Sequence, residues 1–164
     1  MDKAFEDISA ANDEYANSFN GEGVRGVAGK ELLVLTCMDS RIIPHQAMGL
    51  GLGEVKVIRN AGGQLNPEVE KDIVLASHVL NCKRIIIMPH TRCAMASSKL
   101  EDVQRIVGEQ SGADASNFTP RLISDAVNKL EQDVLTLRAN PLLRPGTIVQ
   151  GAIYDVDTGR VNFQ

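Results

Sequence analysis

Two continuous apolar runs constrain the fold of this chain most, because each ends in a cluster of polar, chemistry-bearing side chains. Leu32-Leu33-Val34-Leu35-Thr36 runs into Cys37-Met38-Asp39-Ser40-Arg41, and Ile85-Ile86-Ile87-Met88-Pro89 runs into His90-Thr91-Arg92-Cys93. Short runs without polar alternation read as strands buried on both faces, as in a parallel sheet covered by helices. In an open sheet of that kind, the carboxyl ends of the strands face a crevice where ligands bind. Both clusters therefore belong to one crevice.

Strand and helix signals alternate through the rest of the chain. A strand over 31–37 is followed by the glycine-rich stretch 48–53, a second strand over 55–58 and the small-residue loop Arg59-Asn60-Ala61-Gly62-Gly63. Asn66 as N-cap and Pro67 in the first turn open a helix to about residue 81, with Val69, Ile73, Ala76, Val79 and Leu80 on its apolar face. After the strand over 85–88, the spacing predicts a helix over about 97–109. Another should begin near Thr119-Pro120, with Leu122, Ile123, Ala126, Leu130, Val134 and Leu137 on one side. A strand over 147–154 turns at Asp157-Thr158-Gly159 into a last strand over 161–163. The expected fold class is α/β, a mainly parallel central sheet flanked by helices.

The 164 residues fit one domain, 1–164, with a helical arm over 1–28. Phe5, Ile8, Ala11, Tyr15 and Phe19 recur at helical spacing in that arm, which ends near Gly21. Such a stripe must pack either on its own domain or on a second subunit.

Composition excludes several function classes. A net charge of −4 argues against an electrostatic nucleic-acid binder. The longest apolar runs fall short of a membrane span, and Asp2, Glu6 and Asp7 leave no secretory signal at the N-terminus. Stretch 49–53 lacks both the dinucleotide and the Walker A glycine patterns. Three cysteines cannot all pair within the chain, and two stand beside His and Asp, so reduced, cytoplasmic thiols are expected.

Cys37, His90 and Cys93 make a metal set of the Cys2His type, suited to zinc, with the fourth position open as in catalytic sites. His-x-x-Cys lets one loop supply two donors while Cys37 arrives from the neighbouring strand. Cys82 lies at the far end of the preceding helix and reads as a core residue, and His78 falls within a helix. His45, four positions past Arg41, is close enough to line the pocket. Asp39 could be the fourth ligand, or it could pair with Arg41, two positions on. A carboxylate held by a guanidinium fork can orient a metal-bound water.

Cys37-x-Asp39-x-Arg41, Arg59-Asn60-Ala61-Gly62-Gly63, His90-Thr91-x-Cys93 and the closing Gly151-Ala152-Ile153-Tyr154-Asp155-Val156-Asp157-Thr158-Gly159 together resemble the β-class carbonic anhydrases, closest to their short, archaeal-like branch. The resemblance runs in order from about residue 31 to the C-terminus. It implies one zinc per chain on Cys37, His90 and Cys93, with Asp39 and Arg41 as a catalytic dyad. The implied reaction is hydration of carbon dioxide to bicarbonate and a proton, since zinc brings hydroxide within reach near neutral pH. It also implies a homodimer, in some members a tetramer, with the N-terminal helix reaching across to the partner. In part of that family Asp39's counterpart moves onto the zinc at lower pH and closes the site. Two residues depart from the pattern: Arg92 stands where the family usually has Asp, and Ala94 where it has Gly. Neither is a ligand position. Arg92 could recruit an anion or another carboxylate, and Ala94 fits unless its backbone needs a positive φ. Two rival readings remain on the same scaffold, a carbon disulfide hydrolase and a non-catalytic zinc-binding homologue.

Overall fold

The computed structural model describes residues 2–164. Its sheet has five strands: β1 (Leu32–Cys37), β2 (Val55–Asn60), β3 (Arg84–Met88), β4 (Ile148–Tyr154) and β5 (Val161–Phe163). They lie in the order β2-β1-β3-β4-β5. The first four are parallel, and β5 folds back antiparallel on β4. The chain leaves β1 for one edge and then returns to build toward the other, so the topological switch point falls between β1 and β3. That is where doubly wound sheets bind ligands.

All six residues of β1 are buried, as its unbroken apolar run requires. Alternation along the strands sorts the core into two layers. Leu33, Leu35, Ile85, Ile87 and Val149 face one side, where Ile73 and Ala76 of α3 (Pro67–Val79) and Leu130, Val134 and Leu137 of α6 (Ala126–Arg138) cover them. Leu32, Val34, Val55, Met88 and Ala152 face the other side with Cys37 and Cys93. There the cover comes from Ile42, α2 (Pro44–Ala47) and α4 (Ala94–Ser97).

Helix boundaries follow local chemistry where a cap exists. Asn66 caps α3 as expected, its side chain accepting from the amides of Glu68 and Val69, and Pro67 opens the helix. The helix expected over about 97–109 is α5 (Leu100–Ser111), and the short α4 precedes it across extended backbone at Ser98 and Lys99. The last helix does not start at Thr119-Pro120 but at Ala126. Asp125 is the N-cap, accepting from Val127 and Asn128. The segment before it spends its backbone elsewhere: the Ile123 amide donates to Met95 (2.8 Å), and the Arg121 carbonyl accepts from Gln64 (3.0 Å). Tertiary partners displaced the helix start by about two turns.

The arm holds α1 (Glu6–Asn17) after a 3-10 turn, Lys3–Phe5. No residue of either is buried. Phe5, Ile8, Tyr15 and Phe19 are 58%, 62%, 58% and 50% exposed, so the stripe does not pack on its own domain. No helix among the described residues is long and apolar enough to cross a membrane.

Candidate metal centre

Each expected donor sits at the carboxyl end of its strand. Cys37 closes β1. His90 follows β3 by one proline and bridges to Tyr154 at the end of β4. Cys93 is the N-cap of α4. Between the two loop donors, Arg92 adopts φ +54°, a left-handed turn that a non-glycine residue rarely takes. That turn brings His90 and Cys93 to the same place. The two sulfurs and an imidazole nitrogen lie within 4.8 Å of one another, and all three residues are buried.

The imidazole is prepared to ligate. His90 Nδ1 lies 2.9 Å from the Thr91 carbonyl, which can only accept, so Nδ1 carries the proton and Nε2 presents a lone pair. Nε2 is buried with no hydrogen-bond partner, and an orphaned buried polar atom calls for a ligand. Burial also pushes the His90 pKa down, which keeps the ring neutral. Burial pushes the Cys93 thiol up, and neighbouring Cys37 adds to this; the amides of Met95 and Ala96 pull the other way. Two thiols and a lone-pair nitrogen converging in an apolar layer fit a borderline-soft metal ion, which would displace the thiol protons on binding.

Glycine is required beside this set. The Gly62 amide donates to Cys37 Sγ at 3.4 Å. A Cβ on Gly63 would stand 2.8 Å from the Cys37 nitrogen, and Gly63 also has φ +66°. Asn60 and Gln64 lock this loop through two reciprocal bonds, Nδ2 to the Gln64 carbonyl (2.7 Å) and the Gln64 amide to Oδ1 (2.9 Å). From α6, buried Asp133 accepts the Leu65 amide at 3.0 Å.

Asp39 faces Arg41 here. Arg41 Nε and Nη2 donate to its two carboxylate oxygens at 2.9 and 2.8 Å, and the Arg41 amide adds a third bond at 2.9 Å. These hydrogen bonds hold the Asp39 carboxyl well below the usual carboxylate range. Its Oδ2 is 3.8 Å from His90 Nε2, so the carboxylate borders the donor set while bound to Arg41.

Sequence reasoning missed Arg59 as a site residue. From the neighbouring strand its Nε donates to the Cys37 carbonyl (2.9 Å) and its Nη2 to the Asp39 carbonyl (2.6 Å), clamping the backbone on both sides of Met38. The available signal was its place near the end of β2, one residue before Asn60, which pairs with Cys37.

The remaining candidates stand apart from the donors. His45 lies half-buried on α2. His78 is exposed, with Nε2 3.0 Å from the Leu142 carbonyl. Cys82 is fully buried before β3, at the opposite end of the sheet. Arg92 did recruit a carboxylate, forming an ion pair with Asp157. Ala94 begins α4 with no positive φ, so the missing glycine costs nothing there.

Residues 32–161 match the family model described as carbonic anhydrase. β-Carbonic anhydrase 1 of Mycobacterium tuberculosis is 29% identical over 157 residues, covering 96% of this chain and 95% of that protein. A carbon disulfide hydrolase of Acidithiobacillus thiooxidans is 25% identical over 163 residues, covering 85% and 75%. Among solved structures, a carbonic anhydrase from Streptococcus mutans superposes with a TM-score of 0.88 at 28% identity, covering 99% of this chain and 98% of that one.

Proposed function

The chain belongs to the carbonic anhydrase family, in its β class, and from that premise we propose that it hydrates carbon dioxide reversibly at one zinc ion held by Cys37, His90 and Cys93. Zinc bound there would lower the pKa of water and supply a nucleophile near neutral pH. The observation that carries the reading is the orphaned His90 Nε2, buried beside two cysteine sulfurs and 3.8 Å from a carboxylate that Arg41 holds.

The chain's own residues divide the remaining work. His90 donates from Nδ1 to the Thr91 carbonyl and so keeps Nε2 aimed at the metal position. Asp39 stays ionised under the Arg41 fork and accepts the hydrogen of the attacking O–H, which turns the oxygen's lone pair toward the carbon of carbon dioxide. Arg59 fixes the carbonyls of Cys37 and Asp39, so ligand and orienting carboxylate keep one spacing.

The exposed stripe of the N-terminal arm supports a homodimer, a unit from which tetramers can be built. Three free, buried cysteines suit a reducing, cytoplasmic setting.

Stopped-flow carbon dioxide hydration on metal-quantified protein tests the reading, with carbon disulfide hydrolysis followed in parallel. Hydration that scales with zinc content supports it. Turnover of carbon disulfide alone would reassign the substrate, and fully zinc-loaded protein inert to both would make this a non-catalytic homologue.

A further inference from the structure

Arg92 is the one residue in the ligand loop whose charge opposes the family pattern, and its surroundings give that charge a use. The loop from His90 to Cys93 is stitched to the turn after β4. The Thr91 amide donates to the Tyr154 carbonyl at 2.9 Å, and the Val156 amide donates to Thr91 Oγ1 at 3.1 Å. The Arg92 guanidinium completes the seam by pairing with Asp157. At the same time the Arg92 carbonyl, turned by φ +54°, accepts from Arg41 Nη2 at 3.3 Å. Arg41 Nη2 is the atom that also holds Asp39 Oδ2. A continuous chain of contacts therefore runs from Asp157 through Arg92 and Arg41 to Asp39.

We propose that the Arg92–Asp157 ion pair is a positioning latch for the Asp39–Arg41 pair: it holds the strained Arg92 backbone so that its carbonyl fixes the guanidinium that orients the catalytic carboxylate. This rests on the role proposed above for Asp39 and Arg41. The left-handed backbone is disfavoured for arginine, so contacts must hold it, and the Arg92 side chain adds its ion pair with Asp157 to the Thr91 and Arg92 hydrogen bonds. Arg92 sits between two donors, so slack at this residue would reach both the His90–Cys93 spacing and the Arg41 fork. The pair is largely exposed, with side-chain exposures of 60% and 58%, which limits its strength. The effect is correspondingly modest and sensitive to salt.

The test uses zinc-loaded, full-length protein with Asp157→Asn and Arg92→Gly. Glycine accepts the left-handed φ and keeps the carbonyl, so that variant folds without strain, but its freer backbone is no longer held in that turn by the ion pair. Each should lower kcat/KM for carbon dioxide by about two- to fivefold at unchanged zinc content, the range an exposed ion pair allows. The double variant should lose no more than either single one, because both break the same contact. The readout independent of turnover is the Arg41 Nε–H resonance in nitrogen-15 spectra. It should be sharp and slow to exchange in the unmodified protein, and broadened in both variants at low salt. Added salt should shift the unmodified protein toward the variants. An Arg41 signal and kcat/KM unchanged in both variants, or additive losses in the double, would overturn the latch. If the unmodified protein proves inactive, the proposed function fails while the resonance still decides the latch.

Discussion

The carboxyl end of the sheet and the N-terminal arm contrast in completeness. At the sheet end, the candidate donors, the Asp39 carboxylate, the Arg41 guanidinium and the glycine loop all come from one chain and lie against one another. His90 Nε2 is left over, and a metal would take it. In the arm, four large apolar or aromatic side chains lie half or more exposed on α1 and the residues flanking it, and no residue of the helix is buried. Burying each would contribute about 1.5–3 kcal/mol, so the arm forgoes several kcal/mol while it stands alone. The candidate metal centre is complete within the chain, whereas the arm leaves its apolar side chains uncovered, as the proposed homodimer would require. The candidate site can therefore be read from one chain, while the arm's apolar face cannot.

The contrast breaks first at the thiolates. Cys93→Ser should lose most of its zinc, by more than the roughly 10- to 100-fold that mere supporting contacts cost, and lose hydration with it. Elemental analysis checks this, and full occupancy in the variant would remove Cys93 from the ligand set. The arm is probed next by deleting residues 1–20. Dissociation or aggregation by light scattering is expected, because the stripe proposed to bind a partner is gone. A well-folded, active monomer would show the arm to be dispensable.

Arg41→Ala sharpens the comparison within the sheet end by separating holding the metal from using it. Zinc should stay bound, while Asp39 loses the fork that holds it and turns toward the metal position. Hydration should fall roughly 10- to 100-fold, as for a misplaced catalytic group. Unchanged activity at full zinc occupancy would reduce the pair to a surface salt bridge.

The smallest effect concerns pH in metal-free protein. Burial lowers the pKa of His90 below its ordinary value near 6.5, so between the two values the unfolded chain binds more protons than the folded one. Stability then rises with pH there, and the melting temperature should fall as pH drops through 6.5. Asp39, also lowered, adds the same sign only below about pH 4. Thermal scans from pH 7.5 to 5.5 on the protein and on His90→Gln isolate the histidine's contribution. The variant should show a flatter slope, and identical slopes would mean that His90 does not titrate with folding.

Local signals carried a large part of the structure. The unbroken apolar runs marked β1 and β3, because a strand covered on both faces tolerates apolar residues at successive positions, and in β1 all six are buried. The Asn66-Pro67 pair placed the start of α3 to the residue, since a cap and a fixed φ act within a few positions. The Cys37, His90 and Cys93 set was legible because strand ends in a parallel sheet converge whatever the intervening chain does. Where a residue had several partners within reach, the sequence stayed open and tertiary structure chose. Asp39 meets the Arg41 fork from two positions away while bordering the donor set, an arrangement that depends on where β1 ends. Arg92 found Asp157 across the turn after β4, and Arg59 reached the Cys37 and Asp39 carbonyls from the adjacent strand. The last helix lost its expected first turns to Met95 and Gln64, partners distant in sequence that bond the same backbone groups a helix would have used. Periodicity, caps and strand ends are short-range properties that the sequence determines alone. The choice among competing long-range hydrogen bonds is made only when the sheet brings them within three ångströms or so of one another.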